Sequence, residues 1–252
     1  MDIVIIGSGN VASVLGRKFK LAGHDISQVV SRNASAATRL AYELDTESTN
    51  YPSIIKRNAD VYIIAVSDDA IPVVANDIKR PGKVVAHTAA SVHMDVLKPM
   101  THHYGVFYPL QSLRKDDIDP PLIPIFLDGS DELTKRKLEL LANSISPQHV
   151  AQAGDDARLK LHVAAVFVNN FTNHLYVLAE DYCKKEGIDF KEMLPLIEET
   201  ALRVKEISPS RSQTGPAERN DQETIQKHLE LLESHPQLKK VYEFLTASIR
   251  EC

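Results

Sequence analysis

Six consecutive residues, Gly7-Ser8-Gly9-Asn10-Val11-Ala12, have the types and spacing to hold a phosphate group. They match G-x-G-x-x-A, in which the first glycine permits a tight turn, the second lets backbone approach a pyrophosphate, and the small third residue packs a helix onto a strand. Free N–H groups and the positive dipole end of the following helix would complete the cradle. The competing reading is a turn with no ligand, so the flanks decide. Asp2 to Ile6 is a β-branched run typical of a strand buried on both faces. Asn10 to Ala22 carries Val11, Val14, Leu15, Phe19 and Leu21 at helical spacing before Gly23. Both flanks demanded by a dinucleotide site are present.

The choice of nucleotide rests on the end of the second strand, where an acidic residue would hold a ribose 2′-hydroxyl. The chain has Ser31-Arg32-Asn33 there. A guanidinium and a hydroxyl favour a 2′-phosphate, which points to NADP, whereas a merely solvated Arg32 would carry no preference. The strand Asp60 to Val66 ends at Val66-Ser67, whose backbone is expected to wall the ribose or nicotinamide. Asp68 and Asp69 follow, and the start of a helix makes capping the better reading than an acid–base pair.

Candidates for the reaction itself lie further on. His87, in His87-Thr88-Ala89-Ala90-Ser91, reads either as a proton donor or as a satisfied strand-end histidine. His162 and Asn169 are seven apart and share one helical face, which Asn173 continues, whereas Lys160 and Asn169, nine apart, lie on opposite faces. Polar groups in line on an apolar helix must line a wet cleft or be satisfied by neighbouring helices. In Thr214-Gly215-Pro216-Ala217-Glu218-Arg219-Asn220-Asp221, Arg219 could clamp a substrate carboxylate or fix its own loop, and Asp221 reads as a helix cap with His228 on the same face, aimed at the same cleft.

The elements that must position these groups follow from pattern. Strands are expected at Asp2–Ile6, Ile26–Val30, Asp60–Val66, Lys83–Ala86, Gly105–Tyr108, Ile123–Leu127 and, as a final edge, His149–Ala151. Helices are expected at Asn10–Ala22, Ala34–Leu44, Ala70–Ile78 and Glu132–Asn143, and Pro124 demotes its strand to an edge or irregular position. This alternation predicts an α/β domain over residues 1–153 with a doubly wound, mostly parallel Rossmann sheet. Residues 154–252 predict an all-helical second domain, opening with one long helix from Asp155 to Lys185. Its Val163-Ala164-Ala165-Val166-Phe167-Val168 run is apolar nearly all round, as in a bundle core or subunit interface. Pro236 is expected to break the last helical region.

Composition narrows the classes of partner. The 252 residues are 43% hydrophobic and 25% charged with a net charge of -5, an ordinary globular balance with no basic surplus for nucleic acid. No apolar run is long enough to span a bilayer, and Met1-Asp2-Ile3 does not open a secretory signal, so a cytoplasmic location is expected. Cys183 and Cys252 lack metal or redox spacing, suit a reducing compartment and read as incidental; no metal is expected.

Gly7 to Ala12, Asp60 to Asp69, His87-Thr88, Tyr108-Pro109-Leu110-Gln111 and Thr214 to Asp221 together resemble a family of NADP oxidoreductases that join a Rossmann domain to a helical domain of unknown function. The resemblance covers essentially the whole chain. More distantly the layout is similar to pyrroline-5-carboxylate reductases, deazaflavin-dependent NADP reductases and ketopantoate reductase, in the 6-phosphogluconate dehydrogenase-like superfamily. The resemblance implies an oxidoreductase, a cofactor cleft between the domains and a homodimer formed through the helical half; it implies no substrate. The family's histidine-proline pair is Tyr108-Pro109 here, which puts any role of that imidazole in doubt, and the glycine after Arg219 is Asn220, a milder change.

The expectation is therefore hydride transfer between NADP(H) and a small imine, keto or cofactor-type acceptor. Hydroxyacid dehydrogenases of that wider superfamily place a lysine and an asparagine four residues apart on the first helix of the second domain. Lys160 and Asn169 do not make that pair, which tilts the reading toward C=N or cofactor-level transfer, and a non-catalytic NADP-binding sensor is the alternative.

Overall fold

The computed structural model describes residues 1–117 and 122–251, so Cys252 lies outside the described residues. Eight strands form one sheet: β1 (Asp2–Ile6), β2 (Asp25–Val30), β3 (Glu47–Thr49), β4 (Val61–Ile64), β5 (Val84–His87), β6 (Tyr104–Pro109), β7 (Ile125–Gly129) and β8 (Val150–Gln152), in the order β3-β2-β1-β4-β5-β6-β7-β8. Every pairing is parallel except β6 with β7. The strand order reverses between β2 and β4, on either side of β1, which is where open α/β sheets bind ligands at their carboxyl edge.

The β-branched runs are buried on both faces, and their residues alternate between two cores. Ile3 and Ile5 face one layer with Leu15, Phe19 and Leu40, contributed by α1 (Asn10–Leu21) and α2 (Ala34–Glu43); α4 (Glu132–Ile145) adds Leu138 and Leu141. Val4 and Ile6 face the other layer with Tyr62, Leu97 and the Ile71 of α3 (Ile71–Asp77). Helices on both faces are what a doubly wound sheet requires.

The sheet corrects the sequence pattern in two places. Glu47–Thr49, too short and polar to be expected, pairs with β2 as the edge strand β3. β7 begins just after Pro124 and lies between β6 and β8, so it is not an edge; the proline sits outside the ladder, and its carbonyl accepts from the N–H of Leu110. The expected edge strand near residue 150 is present as β8.

The long helix expected from Asp155 to Lys185 is divided into α5 (Asp155–Ala165), a π-helical turn over Val166–Phe171, and α6 (Thr172–Glu186). Two valines stiff at χ1 and two asparagines that compete for backbone groups weaken the α-helical preference across that turn. An i→i+5 turn holds one residue more than an α-turn, so positions beyond it rotate by about 100° relative to the positions before it. Asn173 therefore leaves the stripe of His162, and Asn169 departs from it by part of that angle. The Val163 to Val168 run is not buried within the chain: Phe167 is 63% and Val168 77% exposed.

The chain divides into two compact units, Met1–Asn169 and Asn170–Cys252. The sheet ends at Gln152 and Gly154 caps α5, which stays with the sheet because its Arg158 and His162 are bonded there. The second unit is helical, with α6, α7 (Leu194–Arg203), the short α8 (Pro209–Ser212), α9 (Gln222–Leu231) and α10 (Pro236–Glu251). Pro236 opens α10, as expected of a residue that cannot continue a helix from before it. No helix among the described residues is long and apolar enough to cross a membrane.

Candidate active site

The first βα turn is shaped by Gly7, whose φ is 135° and whose missing Cβ would lie 2.0 Å from the Ala65 carbonyl oxygen of the neighbouring strand end. Only glycine fits there. At Gly9 the position of a Cβ faces open space, with nothing within 4 Å. Gly9 is also the N-cap of α1 and supplies no side chain to it, so the first-turn N–H groups keep their capacity for an anion. Ala12 is buried and lets α1 close onto the sheet. An open approach above an uncapped helix end fits a dinucleotide pyrophosphate.

These residues wall one cleft of about 540 Å3. Gly7 to Val11 form its floor, Ser31 and Arg32 one end, and Val66, Ser67 and Thr88 the other; Pro52, Ile55, Val73 and Val74 add an apolar side on which an adenine ring could rest. Ser8 donates to the Ser31 hydroxyl at 2.8 Å, joining the glycine loop to the end of β2. Arg32 is exposed at the cleft rim. Asn33 caps α2 by accepting from Ala36 N–H, while the Asn10 amide oxygen accepts from Lys115 N–H at 3.2 Å. The Asp69 carboxyl is held below its ordinary range, first by the Ser67 hydroxyl and then by backbone N–H groups at the start of the turn, with Arg32 adding to the effect. Asp68 accepts from Ser91, tying the loops after β4 and β5 together.

None of the reaction candidates is among the described residues lining that cleft. His87 is wholly buried; its Nδ1 accepts from Ala89 N–H at 3.2 Å, and burial, with Arg158 nearby, lowers its pKa to about 4. The ring is neutral at pH 7 and does not line the cleft. Because the unfolded imidazole titrates near 6.5, the unfolded chain takes up a proton that the folded chain refuses. Stability therefore falls as pH drops from about 6.5 toward 4. The loss expected from this residue between pH 7.5 and 5 is about 2 kcal/mol. In His87→Asn, which keeps an acceptor for Ala89, denaturant unfolding at the two pH values should show a pH dependence weaker by that amount; an unchanged dependence would remove His87 as its source.

His162 on α5 meets the Tyr108 hydroxyl through Nδ1 at 3.0 Å, with the rings edge to face. Tyr108 stands at the carboxyl end of β6, packed on Ala90 two residues beyond Thr88. Burial raises its pKa, so the hydroxyl is protonated at neutral pH and His162 is held by it. Where the family pattern has a histidine before the proline, this chain has a tyrosine with an imidazole beside it. Tyr108 was not among the expected reaction residues; a tyrosine ending a strand at the ligand edge was the available signal.

Asn169 is exposed within the π-turn, and Arg219 is exposed in its loop in the second unit. Asn220 there takes φ 54°, the left-handed conformation for which asparagine substitutes well. Asp221 caps α9 through Thr224 N–H, as expected. His228, expected to face the same cleft as Asp221, has its Nδ1 bonded to the Tyr242 hydroxyl of α10 at 2.8 Å. Among the described residues no cluster of His, Cys, Asp or Glu could hold a metal.

The chain has counterparts among known proteins. Residues 2–91 match the family described as NADP oxidoreductase coenzyme F420-dependent, and residues 123–249 match a domain of unknown function, DUF2520. A Bacteroides fragilis protein with the provisional description NADP oxidoreductase is 39% identical, with a TM-score of 0.92 over 100% of this chain and 98% of its own. An imine reductase from Myxococcus stipitatus, solved with NADP+, is 16% identical with a TM-score of 0.71 over 100% and 93%. A 1-pyrroline-5-carboxylate reductase from Streptococcus pyogenes is 15% identical with a TM-score of 0.62 over 100% and 99%. The last two share the fold. No curated protein sequence matches this chain.

Proposed function

This chain belongs to the NADP oxidoreductase family that pairs a nucleotide-binding domain with the DUF2520 helical domain, and we propose that it reduces a small C=N or C=O acceptor at the Thr88 end of its cleft. The observation that carries this reading is one cleft with the uncapped N-terminus of α1 at its floor and Arg32 at one rim. Gly7, Gly9 and the N–H groups of Asn10, Val11 and Ala12 hold the pyrophosphate. Ser8, Ser31 and Arg32 hold the 2′-phosphate end, and the backbone of Val66 and Ser67 walls the nicotinamide half.

NADPH, when bound, supplies the hydride. The protein has to orient the acceptor and deliver a proton, and His162, steadied by Tyr108, is the group we assign to proton delivery. An imine nitrogen, already basic, asks less of the protein than a ketone oxygen, and the fold relatives named for imine and pyrroline-carboxylate reduction support that preference. Asn169 and Arg219, both exposed, are assigned to acceptor contacts; His87, wholly buried, is assigned to support of the β5 end.

We also assign nucleotide binding to residues 1–153 and homodimerisation to residues 154–252. α5 buries an arginine and turns Leu159 and Val163 outward, and Phe244 of α10 is 73% exposed; apolar faces of this kind mark association surfaces. The free thiol of Cys183, buried on α6, suits a reducing cytoplasm.

The test is separate titration of the purified protein with NADPH and NADH, followed by nicotinamide fluorescence. NADPH is expected to bind at least about tenfold tighter, roughly 1.4 kcal/mol. Binding of neither at millimolar concentration would remove the reductase reading. Sedimentation of the same sample should give twice the monomer mass, and a monomer at micromolar concentration would remove the dimer.

A further inference from the structure

The one residue that α5 buries completely is Arg158. Its Nε donates to the Ala90 carbonyl at 3.1 Å and its Nη2 to the Val92 carbonyl at 2.8 Å, a fork across two carbonyls of the segment that leaves β5. Asp155, one turn earlier, accepts from Nη2, from Met94 N–H at 3.2 Å and from the His93 ring at 2.9 Å. Four bonds therefore clamp residues 90–94 to the first turn of α5. Nη1 is buried with no hydrogen-bond partner among the described residues. A buried guanidinium with an unfilled nitrogen is a poor device for stability alone.

What the clamp controls is adjacent. Two residues before Ala90, Thr88 walls the cleft; one residue after it, Ser91 donates to Asp68, beside the other wall residue, Ser67. Arg32 belongs to the far end of the same cleft, beyond β2. From β2 to β5 there are three strand spacings, about 14 Å. The clamp thus touches the wall at one end of a dinucleotide-length cleft and nothing at the other.

We infer that Arg158 is a positioning residue for the nicotinamide half of the dinucleotide, acting through the Ala90 and Val92 carbonyls on the loop that carries Thr88. The inference rests on the dinucleotide reading of the cleft. Without the fork the loop after β5 is released, while the glycine turn and Arg32 keep the adenosine half.

The experiment compares two probes, NADPH and 2′,5′-ADP, which has the adenosine and 2′-phosphate but no nicotinamide, by calorimetric titration of wild type, Arg158→Met and Arg158→Lys. In Arg158→Met, NADPH is expected to bind about tenfold more weakly and 2′,5′-ADP within about twofold of wild type. Arg158→Lys, which can reach one carbonyl but not both, should fall between. Equal losses for both probes would make Arg158 a general structural residue, and no loss for either would overturn the inference. If Arg158→Met does not fold, Arg158→Lys carries the test alone, and wild-type affinity for both probes overturns the inference. Wild-type protein that binds 2′,5′-ADP but not NADPH refutes the positioning role directly; wild-type protein that binds neither refutes the dinucleotide reading and this inference with it.

Discussion

Gly7→Ala is expected to destabilise the protein by at least about 3 kcal/mol, because it forces an L side chain into a strained backbone conformation and against a carbonyl. The φ of 135° and the 2.0 Å approach to the Ala65 oxygen leave no small adjustment that relieves the contact. Gly7 N–H bonds to Val30 O and Ala65 N–H to Ile6 O, so displacing either strand end breaks the join of β1 to its neighbours. For a chain of this size the melting temperature should fall by roughly 6–12 °C, followed by far-ultraviolet circular dichroism. Gly9→Ala is the contrasting variant. Its Cβ meets nothing and its φ of -86° is ordinary, so the melting temperature should hold while NADPH binding weakens, the methyl taking the space needed by a pyrophosphate. If Gly7→Ala melts like wild type, the turn is not the constraint it appears from geometry; if Gly9→Ala binds NADPH normally, the phosphates do not lie over α1.

Arg32→Glu should weaken NADPH by about 3 kcal/mol, roughly a hundredfold, and leave NADH within about threefold. The variant removes a charge-assisted donor and puts in its place a carboxylate, which repels a 2′-phosphate. Among the described residues Arg32 is the one cation in the cleft lining, so none compensates for its loss. An added acid at the end of β2 is also the type of group that holds a ribose 2′-hydroxyl, so any change for NADH should be a gain. Paired fluorescence titrations of wild type and variant measure both. Equal, small changes for the two nucleotides would return Arg32 to an ordinary solvated cation.

The residues 2–30 show how much local sequence determined. A β-branched run, a glycine turn and a 3.6-period stripe each specify their own conformation, so strand, loop and helix were legible one after another, and with them the glycine turn proposed to hold a phosphate. Asp221 as a cap was legible for the same reason: a cap is set within a few residues. The π-turn at Val166–Phe171 marks the limit of that locality. A stripe drawn at a uniform 100° per residue passes through it in error, and so joined His162 to Asn173.

Only the tertiary structure decided which distant groups meet. Tyr108 and His162 are 54 positions apart, and their pairing depends on β6 lying beside β5 with α5 packed over that edge. Arg158 has no sequence signal at all, since a charged residue on a helix reads as solvated until its partners, the Ala90 and Val92 carbonyls, are brought from the end of another strand. His228 shows the converse, as its face was readable but the Tyr242 it answers to was not. Periodicity and turn chemistry are properties of neighbours along the chain, whereas burial, desolvation and hydrogen-bond partnership depend on strand order, which no local pattern contains.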